Sequence, residues 1–336
     1  MTKAKYKVSV VTVTYGERWE FLSQVIKRLL SFDLIYRIVI VDNGSSYDLK
    51  SKITELADER LILVGEGYNT GSAVGYKIGI AHAYQHTDTD FIWLLDDDNL
   101  PDEKSLDVLL ESWNELNGDQ HKTALYCLRP DRNTDLRIAQ GDSPGNYFLI
   151  PDSILGFSIF RLGYFQLRKL KDKFGKPKEF KKLATMPFVP YGGFFFPKAM
   201  VAIIGYPDEK YFLYIDDADY TYRVTQSGGK IWLIPGARIA DIETSQGTDY
   251  KYSNFSSIIL DLWNFRMFYR VRNMVYFNSK TSVKSPFLFK LNKSIFLNKL
   301  RLISIISSKQ KEYKKLVVAV NDGLNGKLGK ATEDKF

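Results

Sequence analysis

From Lys7 to Thr14 the chain reads KVSVVTVT, a β-branched run that predicts a strand. Behind it, Trp19 to Leu30 sets Leu22, Val25, Ile26, Leu29 and Leu30 at helical spacing. A second strand is predicted from Tyr36 to Val41, ending at the turn signal Asp42-Asn43-Gly44. A short helix from Leu49 to Leu56, a strand from Arg60 to Val64, a helix from Ser72 to Tyr84, a strand from Phe91 to Leu95 and a helix from Glu103 to Leu116 follow. Such strict alternation implies parallel strands joined by right-handed crossovers. The expected class is α/β, a Rossmann-like, mostly parallel sheet flanked by helices.

The pattern then blurs. Residues 129 to 153 are polar and turn-rich, and residues 157 to 190 mix aromatics with a basic run (Arg168, Lys169, Lys171, Lys173, Lys176, Lys178, Lys181 and Lys182). Order returns with a strand at Tyr191 to Phe196 and a short helix at Lys198 to Ile204. A helix from Ala218 to Ser227 is stopped by Gly228-Gly229, and Lys230 to Ile234 reads as a strand. Beyond Lys251 the periodicity is mainly helical.

Charge divides the chain at the same place. The net +8 comes from +12 beyond residue 250 and −4 before it, so the tail calls for a polyanionic partner. The 45% apolar content is ordinary for a globular chain, while aromatic residues reach 14%. The single cysteine, Cys127, excludes a disulfide framework and a thiolate metal cage. The N-terminus has no apolar h-region, and no stretch reaches the roughly 18 apolar residues of a spanning helix. A soluble or peripherally bound cytoplasmic protein is expected.

Two nucleotide motifs can be set aside. GEGYNTG (Gly65 to Gly71) has Thr70 where a dinucleotide fingerprint needs its third glycine, and it follows the third strand rather than the first. A P-loop is absent. What remains is carboxylates at strand ends, where open α/β sheets bind ligands: Asp42 after strand two, and Asp96, Asp97 and Asp98 after strand four. A solvated helix start accounts for Asp102 and Glu103 but not for three aspartates abutting a buried strand. Such a cluster wants a hard dication, Mg²⁺ or Mn²⁺, and the dication in turn a diphosphate.

In this order VSVVTVTYGERWEFL, IVIVDNGS, GYNTGSAVGYKIGI and WLLDDDNLPDE resemble the nucleotide-binding half of family 2 glycosyltransferases of the GT-A fold. The segment from YGGFFF through IDDADYTYR to PGARIAD resembles the acceptor half, so the likeness covers about residues 7 to 245. With YRVRN at Tyr269 to Asn273, it is nearest in kind to the bacterial galactofuranosyl- and rhamnosyltransferase branch, which builds surface polysaccharides. The resemblance implies a catalytic domain over residues 1–250, divided at 116/117 into nucleotide and acceptor halves, and a basic helical region over 251–336.

It also implies roles. Thr14, Tyr15 and Asp42 match positions that hold nucleobase and ribose, and Asn69 and Gly71 the turn that approaches the nucleotide. Lys77 stands near the family's phosphate-binding position, and Asp97 belongs with the donor contacts. Asp96 and Asp98 are the outer residues of D-x-D, the first toward ribose and metal and the second toward metal. Asp217 matches the base that deprotonates the acceptor in an inverting transfer, and Asp216 the residue that orients it. Many relatives carry a histidine ligand after the following strand; here Asp241 stands there, a candidate oxygen ligand, with Glu243 close by. Asp219 is expected to pair with Arg223 at i,i+4.

The implied donor is a UDP- or dTDP-sugar and the acceptor a glycan or lipid-linked glycan. In SPFLFKLNKSIFLNKLRLISIISSK, helical spacing sets Lys290, Lys293 and Arg301 on one side and Leu288, Leu291, Ile295 and Leu302 on another. That suits either the inner face of a membrane or packing on the catalytic domain. No nucleic-acid motif is present, and a homo-oligomer through these helices is left open. Two rival classes remain: a sugar-1-phosphate nucleotidyltransferase, which wants a Gly-rich basic loop where Thr14 to Arg18 stands, and a non-catalytic nucleotide-sugar-binding module, which has no need of Asp217.

Overall fold

The computed structural model of the chain describes residues 6–65, 67–163, 179–243, 250 and 256–336. Two compact units emerge, one formed by Met1–Pro144, Phe180–Phe212 and Asp216–Thr244, the other by Gly145–Glu179, Leu213–Ile215 and Ser245–Phe336. The second unit thus takes in more than the tail, since Gly145–Glu179 joins it. Most of the basic run, Arg168 to Lys178, and the boundary near residue 251 lie outside the described residues.

The first unit is a nine-stranded sheet. Its strands are β1 (Val8–Gly16), β2 (Ile35–Ser45), β3 (Leu61–Gly65), β4 (Phe91–Asp96), β5 (Asn99–Pro101), β6 (Thr123–Leu128), β7 (Ala184–Met186), β8 (Phe194–Pro197) and β9 (Lys230–Asp241). They run in the order β3-β2-β1-β4-β8-β6-β9-β5, with β7 also pairing β9. The four strands β3, β2, β1 and β4 are mutually parallel. Helices α1 (Trp19–Leu30), α2 (Leu49–Glu55), α3 (Ser72–His86) and α4 (Ser105–Glu115) join successive strands as the alternation predicts.

The β-branched run is buried on both faces. Val8, Val10 and Val11 of β1, Ile38 to Val41 of β2 and Phe91 to Leu95 of β4 are all essentially inaccessible to solvent. Large side chains buried this fully each contribute about 1.5–3 kcal/mol relative to exposure. The consequence is directional: Thr14 pairs with Asp42 and Val13 with Asp96, so the polar strand ends emerge together on the carboxyl edge.

β8 is the turning point. It runs antiparallel to both β4 and β6, placing Phe195 against Phe91 and Trp93. α5 (Asn133–Ala139) precedes it in the chain, and past it come α6 (Val201–Ile204) and α7 (Asp216–Gln226), which begins with two aspartates. β9 extends well beyond the predicted Ile234. It follows β6 to Ile234, shifts register across Pro235-Gly236, and its last residues pair antiparallel with β5, setting Asp241 opposite Asn99.

In the second unit α8 (Ile258–Asp261), α9 (Phe265–Thr281), α10 (Pro286–Ile306) and α11 (Gln310–Leu324) are the helices of the tail. α9 and α11 share a core of Phe268, Val271, Val275, Leu316, Ala319 and Val320. Asp152 stitches the earlier segment to α10, its Oδ1 accepting from the Lys284 and Ser285 N–H groups at 2.7 Å each. Asn292 completes the stitch, donating to the Asp152 carbonyl and accepting from Ile159 N–H. Leu288, Leu291 and Ile295, expected on an apolar face, are half-buried, whereas Phe287, Leu302, Ile305 and Ile306 are exposed. Among the described residues no helix is long and apolar enough to cross a membrane.

Candidate active site

The candidate site lies wholly within the first unit. On its carboxyl edge the three aspartates after β4 separate by exposure. Asp97 is only 3% exposed, and Arg18 Nε donates to both of its oxygens at 2.8 Å. The same guanidinium reaches Asp98 Oδ2 at 3.2 Å and Glu243 Oε2 at 2.7 Å, and it lies over the Tyr15 and Phe21 rings. Asp97, expected among the donor contacts, is thus paired with a largely buried arginine. Asp96, whose side chain is 41% exposed, and the partly buried Asp98 keep more access to solvent.

Asp96 is oriented by its neighbours. Tyr76 Oη lies 2.7 Å from Asp96 Oδ1 as donor, and Asn99 Oδ1 accepts from the Asp96 N–H at 3.0 Å. Tyr76 also stacks on Tyr191, with ring centroids 3.9 Å apart. Gly192 follows, and a Cβ there would meet Asn99 Oδ1 at 2.0 Å and Asp96 Oδ2 at 2.7 Å, so the close approach of this backbone to the carboxylates requires glycine.

The second carboxylate pair opens α7. Asp216 is buried, and Ser72 Oγ donates to its Oδ2 at 2.9 Å. Asp217 is half-buried and accepts from the Ala218 N–H at 2.7 Å. Both carboxyls are pushed up, first by burial; the Asp217 charge raises Asp216 further, while the charge of Asp96 raises and that of Arg129 lowers Asp217. Asp219 pairs with Arg223 at 2.5 Å and accepts from Tyr211 Oη, a structural arrangement as expected.

The nucleotide-side residues lie along β1 to β3. Thr14 is buried and Tyr15 exposed at the end of β1. Asp42 Oδ1 accepts from the N–H groups of Gly44 and Ser45, which shapes the turn after β2. Asn69 is exposed, and its Oδ1 accepts from the Gly71 N–H. Gly71 has φ +85°, and a Cβ there would come within 2.1 Å of the Phe212 carbonyl oxygen, so this corner admits glycine alone. Asn43, not singled out by the sequence, binds this loop through Thr70 N–H and Oγ1 and the Gly71 carbonyl. Lys77 is ion-paired with Glu209 rather than directed at the carboxylates.

Asp241 is surrounded by donors. Arg129, only 2% exposed, binds its Oδ1, Arg132 reaches Oδ2 at 3.2 Å, and Asn99 Nδ2 donates to Oδ1 at 2.8 Å. Arg129 Nη1 also stands 3.9 Å from Asp96 Oδ2. Among the described residues no three or more His, Cys, Asp or Glu side chains are grouped to hold a metal, so Asp96, Asp98 and Asp241 do not form a ready three-ligand cage. The donor chemistry nonetheless suits a hard dication at Asp96 and Asp98. Burial, with the charges of Asp96, Asp97 and Asp241, pushes the Asp98 carboxyl up to about 7, an accumulation of negative charge that Arg18 only partly offsets.

A pH dependence follows. Burial raises Asp97 to about 6 and Asp98 to about 7, against about 4 in an unfolded chain. Between about pH 4 and 7 the native protein therefore holds more protons than the unfolded chain, and stability declines as pH rises through that window. The thermal midpoint of the ligand-free protein should fall by on the order of 5 °C between pH 5 and 8. Scanning calorimetry showing a midpoint that climbs over this interval would contradict it.

Residues 9–169 match the family model described as Glycosyl transferase family 2. The chain is 23% identical over 327 residues, 96% of itself and 97% of the relative, to a dTDP-rhamnosyl transferase RfbF of Shigella flexneri. Among solved structures it resembles the mannosyltransferase PcManGT of Pyrobaculum calidifontis in complex with GDP-Man and Mn²⁺ (TM-score 0.54, 15% identity, 99% of this chain and 78% of that one). It also resembles S. aureus TarS 1-349 in complex with UDP-GlcNAc (TM-score 0.51, 14% identity, 95% and 80%). These likenesses identify the sheet and its flanking helices as the GT-A fold.

Proposed function

We propose that the chain is a nucleotide-sugar-dependent glycosyltransferase of family 2 and that it performs an inverting, metal-dependent transfer of rhamnose from dTDP-rhamnose, with galactofuranose from UDP-galactofuranose the next choice. The acceptor is a growing, lipid-linked glycan of a bacterial surface polysaccharide. The observation that carries this reading is the pairing of two carboxylate groups on one sheet edge. Asp96 and Asp98 are partly solvent-accessible, Asp217 lies in the first turn of α7, and Tyr76, which donates to Asp96, stacks on Tyr191.

The roles in this reading are those that the family resemblance implies. Thr14, Tyr15 and Asp42 receive the base and ribose at the ends of β1 and β2, and Asn69 and Gly71 bring the backbone toward the nucleotide. Asp217 accepts the proton of the acceptor hydroxyl as the oxygen attacks the anomeric carbon opposite the leaving diphosphate. Asp216, fixed by Ser72, sets the start of the helix that presents Asp217. Asp96 and Asp98 would hold Mg²⁺ or Mn²⁺, which supplies positive charge to the leaving diphosphate. The relative's dTDP-rhamnosyl name, together with its coverage of nearly the whole chain, favours rhamnose. On α10 the exposed Phe287, Leu302, Ile305 and Ile306, beside the exposed Lys290 and Arg301, support peripheral attachment to an anionic membrane face.

The test is a donor panel. With Mn²⁺ present, dTDP-rhamnose should be slowly hydrolysed or transferred, the product carrying the opposite anomeric configuration by NMR. Retention of configuration, or failure of every dTDP- and UDP-sugar to bind, would refute the reading.

A further inference from the structure

Asp241, expected as a third ligand to the cation, is instead paired with two arginines. Asp241 accepts from Arg129 and Asn99 at Oδ1 and from Arg132 at Oδ2, so both its oxygens face hydrogen-bond donors. Arg129 is in turn almost wholly buried, and a buried guanidinium is tolerable only with a paired anion. Asp241 is that anion. On its other side Nη1 of Arg129 lies 3.9 Å from Asp96 Oδ2, and a Cβ on Gly192 would meet the same Nη1 at 3.0 Å. Asp241, Arg129, Asp96 and Tyr76 thus form one connected row, with Gly192 packed against it.

We propose that Asp241 is not a metal ligand but the anchor of Arg129, and that the Asp241–Arg129 pair is a positioning device that holds Asp96 in the orientation the donor complex needs. The inference rests on the glycosyltransferase reading and concerns residues of this chain only. An Asp–Arg pair is neutral as a unit. It leaves Asp96 and Asp98 as the two carboxylates offered to a dication, with Tyr76 donating to Oδ1 of Asp96 and the Arg129 charge standing 3.9 Å from its Oδ2. Arg132, half-exposed and joined to Asp131 at 2.9 Å, reinforces Asp241 from the solvent side.

The experiment is a double-mutant cycle with Asp241→Asn, Arg129→Gln and the pair, with Arg129→Lys and Asp98→Asn alongside. Two quantities are read: Mn²⁺ affinity, from the free-ion EPR signal with dTDP or UDP present, and kcat and KM for donor hydrolysis. Asp241→Asn should leave Mn²⁺ affinity within about twofold of the parent and lower kcat by about tenfold or more, with Arg129→Gln matching it. The double variant should be no worse than either single, the sign of strong coupling. Arg129→Lys should recover part of the loss, and Asp98→Asn should weaken Mn²⁺ binding by more than about tenfold.

A tenfold or greater loss of Mn²⁺ affinity in Asp241→Asn, with activity returning at higher Mn²⁺, would overturn the proposal and restore Asp241 as a ligand. Lowered thermal stability with unchanged kcat and KM would also overturn it, leaving the pair merely structural. A parent protein that binds neither Mn²⁺ nor nucleotide would instead defeat the glycosyltransferase mechanism itself, so the two failures are distinguishable.

Discussion

Asp217→Asn should lower the rate of sugar transfer by about 10²- to 10⁴-fold, the range a general base supplies. The amide matches the carboxylate in size and can still accept from the Ala218 N–H, so the start of α7 should keep its shape. Donor KM should therefore change little, and the loss should appear in kcat. The parent rate should fall as pH drops through the raised value of the Asp217 carboxyl, because protonation removes the base. That acid limb should vanish in the variant. Steady-state kinetics over a pH series decide the matter: transfer within a few-fold of the parent would remove Asp217 from the reaction.

Loss of the dication should be as severe. Excess chelator, or Asp98→Asn, should reduce transfer by at least about 10³-fold, since the leaving diphosphate would depart with its charge uncompensated. Asp98 is the sharper target. Its carboxyl is pushed up to about 7 by burial and by three neighbouring carboxylates, so neutralising it relieves repulsion in the ligand-free protein. Asp98→Asn should consequently be at least as heat-stable as the parent while losing Mn²⁺-dependent activity. Full activity in chelator, restored by no metal because none was needed, would overturn the metal-dependent mechanism.

What could be read beforehand follows from where the signal is local. β1, β2 and β4 announce themselves because both of their faces are buried, so the β-branched and apolar run is continuous, and α1 because Leu22, Val25, Ile26 and Leu29 share one buried face. Asp96 to Asp98 and Asp216-Asp217 were legible because each group directly borders an element. β6 is harder to read although Ala124 to Leu128 are all buried and Asn117-Gly118 and Pro130 flank them, because five apolar residues without alternation do not separate a strand from a buried helical turn. The end of β9 was hidden for a different reason. Pro235-Gly236 ordinarily closes a strand, and here it marks a register shift beyond which the chain resumes pairing.

The arginines were missed for want of any local pattern. Arg18 was inspected only as part of a turn poor in glycine, and Arg129 and Arg132 fell at the start of a polar stretch. Their partners, Asp97 and Asp241, are fixed by the sheet rather than by sequence spacing. One usable signal did exist: three adjacent aspartates after a buried strand cannot all be satisfied by one bound ion, and a buried cation was the remaining solution.

The pairings that build the site also bear on how the chain reaches its native form. Arg18 meets Asp97 across 79 positions, Arg129 meets Asp241 across 112, Ser72 meets Asp216 across 144 and Arg18 meets Glu243 across 225. Contacts so distant in sequence carry the largest loop-closure cost and form slowly. The stretch that forms β1 to β4 brings Arg18, Ser72 and Asp96 to Asp98, but Arg129, Asp216, Asp241 and Glu243 come from later segments, so the site is incomplete until those have paired. Nucleotide binding should therefore appear only with the last kinetic phase of refolding, and it would serve as a reporter of completed assembly.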